Sequence, residues 1–148
     1  MDRLLEDLCR QMNIDDAATV IASRILVVDE LSICIEGRDE IYSEDVLVYT
    51  DLGEVAGGNA AEIIRNLLEA NLIWAGTGGA TIGLHPDTSH AILAYRTPME
   101  GLNGEMLAAA ISQFATVAAY WRNFIAEEGR VEGAEVPPGH GIADMMRV

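Results

Sequence analysis

The sequence predicts an α+β fold: a twisted antiparallel sheet with helices packed on it, in the order α-β-β-β-α-β-β-α. Three observations carry this prediction. The β-rich runs "RILVVD", "LSICIEG" and "EDVLVYTDLG" follow one another across short polar breaks. A second pair of runs, "ATIGL" and "HAILAY", flanks Pro86-Asp87 as a hairpin would. Apolar residues at helical spacing stand before, between and after these two sets.

In the first helix Leu4, Leu5, Leu8, Cys9 and Met12 share one face, while Arg3, Glu6, Asp7, Arg10 and Gln11 take the other. Asp2 is placed to cap it and Asn13 to end it. The next segment, "IDDAATVIAS", reads two ways. Asp15 or Asp16 would cap a short helix, yet its β-branched residues equally suit a strand. The three runs that follow read as an antiparallel meander broken at Asp29-Glu30 and at "GRDEIYSED". In the second run Leu31, Ile33 and Ile35 alternate with Ser32, Cys34 and Glu36, so one face is apolar and the other mixed.

Asn59 followed by Glu62 has the spacing of a capping box and opens the second helix, "AAEIIRNLLEANLIW". Ala60, Ile63, Ile64, Leu67, Leu68 and Leu72 cover one broad side of it. Gly76, Gly78, Gly79 and Gly83 come next. They do not form a dinucleotide loop, because the sixth position is Thr81 and a hairpin follows where a helix is needed. A phosphate loop of the other kind needs a lysine, and the chain has none. The glycines therefore turn the chain. In the last helix Leu107, Ile111, Phe114, Ala118, Trp121 and Ile125 recur at intervals of three and four, which fits packing on a sheet better than a coiled coil. From Gly129 onward glycine, proline and charge mix without period, so residues 1–128 are expected to form a single domain and 129–148 a flexible tail.

A chain of 148 residues suffices for one core. The formal net charge of −15 is concentrated early: residues 1–57 hold 14 acidic and 4 basic side chains, or −10. Such a field repels nucleic acid and anionic membranes, which are held through clustered cations. No apolar run is long enough to span a bilayer, and the start is acidic where a secretory signal would be basic, so a cytoplasmic location without membrane insertion is expected. Cys9 and Cys34 read as buried thiols without a disulfide.

Catalytic chemistry is poorly represented. Asp87, Ser89 and His90 are the nearest approach to a triad, but residues crowded on one turn cannot readily point at one another. His85, His90 and His140 lack the spacing of a metal site. No enzyme activity, cofactor or metal is expected.

The element order, carried by "LLEDLCRQM", "VLVYTDLG", "IIRNLLEANLIWAGTGGATIGLHPDTSHAIL" and "FATVAAYWRNFI", resembles class I type III secretion chaperones of the CesT/SycE-like family from Asp2 to about Glu128. That resemblance implies a bacterial, cytoplasmic homodimer that holds the N-terminal segment of one or more secreted effectors in an extended, secretion-competent state. It also admits the secretion ATPase as a partner. By position in the family, Leu67, Leu68, Leu72, Trp74 and Ile82 would form the dimer contact. The first helix and the meander would meet the effector through Leu5, Leu8, Ile33, Ile35, Val46 and Val48. Two alternatives remain at this point: a YbjN-like regulatory module with the same element order, and a small hydrolase built on the Asp87-Ser89-His90 turn.

Overall fold

The structure, a computed structural model, describes residues 1–40 and 43–132. Helices α1 (Asp2–Gln11) and α2 (Ala17–Ser23) precede strands β1 (Ile25–Val28), β2 (Leu31–Glu40) and β3 (Ser43–Glu54). Helix α3 (Ala60–Asn71) runs into a single 3-10 turn at Leu72–Trp74. Strands β4 (Thr81–Leu84) and β5 (His90–Pro98) follow, and α4 (Gly104–Glu132) is the last element. The strands form one antiparallel sheet in the order β1-β2-β3-β5-β4. The α+β class, the meander and the hairpin expected from the sequence are all present.

The period of two sorts the sheet into faces. Cross-strand partners Leu26 and Ile33, Ile35 and Val48, and Ile82 and Leu93 point to one face, where all are buried. Leu5, Leu8 and Cys9 of α1 and Leu107, Ile111, Phe114, Ala118, Trp121 and Ile125 of α4 belong to the same core. The opposite face is wetter: Cys34, Tyr49, Ile92 and Ala94 are half-buried there, and the outer residues of β1 are exposed. Burial pushes the Cys9 thiol above its ordinary pKa, with nearby Asp16 adding to the effect.

Local chemistry resolves the ambiguous segment as helix. Asp16 caps α2, its carboxylate accepting from the Thr19 N–H at 3.1 Å and the Thr19 hydroxyl at 2.7 Å, and Arg24 ends it in the left-handed region at φ 60°. These hydrogen bonds hold the Asp16 carboxyl below the ordinary range. Other caps differ from expectation. Met1 is the cap of α1, while Asp2 lies inside the first turn and pairs with Arg24 at 2.5 Å. Asn13 does turn the chain away, at φ 55°. Asn59 forms no side-chain cap; its amide nitrogen donates to the Glu128 carbonyl of α4 at 3.1 Å.

Two boundaries move. The polar stretch expected to separate the second and third strands instead extends both, with Arg38 opposite Asp45 and Asp39 opposite Glu44. Main-chain ladder bonds need no apolar side chains, so an exposed hairpin arm continues beyond the apolar run. Helix α4 passes residue 128 and reaches Glu132. The rest of the expected tail, with His140 and "ADMMRV", lies outside the described residues.

Candidate functional site

An exposed apolar surface is built at the end of α3. Ile63, Leu67 and Ala70 turn inward, and the neighbouring stripe turns outward. Leu68 is 64% exposed, Leu72 69%, Ile73 81% and Trp74 55%. Ala61, Ile64, Leu68 and Leu72 line a shallow groove beside them, edged by the Arg65–Glu69 ion pair at 3.0 Å. Bulky side chains left in water at this density mark an interaction surface.

The backbone that presents the ridge is unusual. Ile73 and Trp74 both sit at φ 54°. A β-branched residue rarely occupies the left-handed region, because its Cβ crowds the backbone. The conformation is held from both ends. Asn71 clamps β4, donating to the Ile82 carbonyl at 2.8 Å and accepting from its N–H at 2.9 Å. Downstream, the Gly76 N–H donates to the Ala70 carbonyl at 3.0 Å, and Trp121 Nε1 donates to the Gly76 carbonyl at 2.8 Å. A Cβ on Gly76 would stand 2.8 Å from that of Ala70, so only glycine fits. Gly76 is thus the tightly packed point of the turn, whereas Gly79 has open space beside it and Gly83 lies within β4.

The expected contact residues divide sharply. Leu68, Leu72 and Trp74 lie together on the exposed ridge. Leu67 and Ile82, expected at the same contact, are instead buried in the chain's own core. The proposed effector contacts Leu5, Leu8, Ile33, Ile35, Val46 and Val48 require correction: each is at most 1% exposed. The single apolar stripe of α1 and the apolar face of the meander meet each other and α4, leaving no side-chain surface for another chain.

Two residues that the sequence reading passed over are exposed instead. Ile25 and Val27 project from the outer face of β1, whose only strand partner among the described residues is β2. The signal was the alternation in "RILVV", where Leu26 and Val28 face inward and Ile25 and Val27 outward. That β1 lies at the sheet's edge depends on strand order, which the alternation does not contain.

The polar groups once considered for catalysis are engaged separately. His90 Nδ1 meets the Asp51 carboxylate at 2.7 Å, and His85 Nδ1 accepts from the Asp87 N–H at 3.3 Å. The ring that a triad would aim at Ser89 thus faces β3. On the outer face Tyr49 donates to Glu36 Oε1 at 2.6 Å. That bond, with partial burial, pushes the phenol well above its ordinary pKa. Among the described residues no helix is long and apolar enough to cross a membrane.

Comparison with known proteins follows the same lines. No curated protein matches the chain. Among solved structures, one described as "Structure of the HopA1-SchA Chaperone-Effector Complex" contains a similar chain: TM-score 0.59, 17% identity, over 81% of this chain and 91% of that one. A chain in "Crystal Structure of the ExsC-ExsE Complex" is similar with a TM-score of 0.54 and 18% identity, over 84% of this chain and 92% of that one. At such identities the likeness establishes a shared fold. The family is established by sequence: the model of the Tir chaperone protein (CesT) family matches residues 3–122, nearly the whole described chain, and the protein belongs to that family.

Proposed function

We propose that this protein is a type III secretion chaperone that binds the N-terminal segment of a secreted effector in an extended, export-competent form, without catalysis. In this reading it works as a cytoplasmic homodimer and delivers its cargo to the secretion ATPase. Membership of the chaperone family supports the activity, and the exposed Leu68-Leu72-Ile73-Trp74 ridge is the observation that supports the dimer. Two copies meeting through this ridge would bury side chains that water otherwise surrounds.

The effector surface is assigned to the β1 edge. An added strand would satisfy the edge's outward main-chain groups whatever its sequence, while Ile25 and Val27 supply apolar contact. The acidic shell, at a formal −15, keeps the loaded complex soluble. The test is capture of partners from the native cell, followed by limited proteolysis of the complex. Protection of an N-terminal segment that is protease-sensitive when free supports the proposal. Capture only of partners whose folded domain is required for binding would refute it and leave the regulatory module in its place.

A further inference from the structure

The rim of β1 is not uniform along its length. The Ile35 N–H donates to the Arg24 carbonyl at 2.8 Å, and these two residues stand directly opposite in the register that pairs Ile25 with Cys34. Main-chain groups alternate in direction along an antiparallel strand, so Leu26 and Val28 bond to β2, while the N–H and C=O groups of Ile25 and Val27 point away from the sheet. One of these four outward groups is already taken: the Ile25 N–H donates to Ser23 Oγ at 3.2 Å. The Ser23 hydroxyl itself donates to the Thr19 carbonyl at 2.8 Å, so its one proton is committed and it offers no donor to an approaching chain. The other end of the strand is fixed as well. Asp29 and Glu30 turn at φ 46° and 68°, and Arg122 of α4 donates to the Glu30 carbonyl at 3.2 Å. Between these fixed ends the Ile25 carbonyl and both main-chain groups of Val27 are left for another strand.

We propose that Ser23 is a specificity residue of this edge, turning away a second copy of the chain more strongly than it turns away an extended client. The main-chain bonds decide it. Two β1 strands meeting antiparallel about a two-fold axis gain most when Ile25 of each copy lies opposite Val27 of the other, because each such pair exchanges two bonds, four in all. Both Ile25 N–H groups would have to donate in that register. Ser23 withholds both, one in each copy, and leaves two Val27 carbonyls facing donors that are turned elsewhere. Sliding the copies to set Val27 opposite Val27 also gives two bonds, so no register of these outward groups does better. A client strand carries no such serine. It loses only the bond from the single Ile25 N–H and keeps the other three. The client half of the inference rests on strand addition at β1; the self-pairing half needs no client.

The test uses the full chain, with Ser23→Ala to free the Ile25 N–H and Ser23→Thr to keep the hydroxyl. Sedimentation velocity over a concentration series reads association beyond the species that the wild type forms. With each main-chain bond worth about fivefold, Ser23→Ala should associate about 25-fold more tightly at this edge, and Ser23→Thr should match the wild type. Adding Val27→Asp to Ser23→Ala should reverse the gain and so locate it at β1. The client side is read by NMR at the Val27 amide, using a short alternating threonine–valine peptide N-methylated at every second residue, which has one bonding edge and stays monomeric. Ser23→Ala should bind it about fivefold more tightly, a smaller gain than for self-pairing. Circular dichroism and melting report folding, and Ser23→Val, matched to Ser23→Thr in shape, decides if Ser23→Ala unfolds. Unchanged association in the folded variant overturns the proposal, as does a gain that Val27→Asp leaves intact. If the peptide binds while association is unchanged, strand addition stands and the role of Ser23 falls. If association rises as expected while the peptide binds neither protein, strand addition falls and Ser23 keeps its role against a second copy.

Discussion

Within one sheet, side chains on the two faces have opposite jobs, and substitution should tell them apart. Ile35 and Val48 are fully enclosed, so Ile35→Ala should cost about 2–5 kcal/mol of stability through lost burial and the cavity left behind. Val27→Asp, at an exposed position, should leave the melting temperature nearly unchanged and weaken capture of effector segments. Denaturant titration beside a capture assay separates the two. This contrast also shows what the residue pattern conveys. Alternation correctly marked Ile33 and Ile35 as apolar-face residues, but it carries no information on whether that face meets water, a partner or the protein's own helices. Tyr49 gives a pH signature. Its folded pKa is raised, so the stability from its bond to Glu36 is complete below the unfolded phenol value of about 10 and is lost as pH rises through and beyond it. Unfolding measured from pH 8 upward should show this decline, and Tyr49→Phe should lack it.

At the level of elements, α3 is two helices in one. Its inward stripe belongs to the core and its outward stripe continues through Leu72 to Trp74. The sequence showed one broad apolar side, and width alone cannot say where a core ends and an interface begins. Leu68→Asp and Leu72→Asp should therefore give folded monomers, detected by light scattering with an unchanged circular dichroism spectrum; unfolding of both would place the stripe in the core. The capping box at Asn59 was legible as spacing yet not realised, and the side chain ties α3 to α4 instead, through its amide nitrogen and the Glu128 carbonyl. Gly76→Ala should strain the turn that supports Trp74, with a cost of about 1–3 kcal/mol from overpacking against Ala70.

For the whole molecule, the order of elements was legible because each has its own period and its own punctuation. The sheet's closing pair, β3 beside β5, was not, since it joins strands separated by α3. Purified protein should scatter light as a species near twice 16.0 kDa. A chain ending at Glu132 should melt within a few degrees of the full chain, because glycine, proline and charge in 133–148 offer little surface to bury.

The open edge at β1 has another consequence. A strand margin bearing Ile25 and Val27 is itself a template for self-association, the hazard that a secretion chaperone is meant to prevent in its cargo. Asp29 and Glu30 stand at its end as charged gatekeepers, and the molecule's negative field keeps empty copies apart. Screening that field with salt should make the empty protein aggregate sooner than the loaded one. Protection in the complex would then run both ways, the client sheltering its guardian for as long as the two travel together.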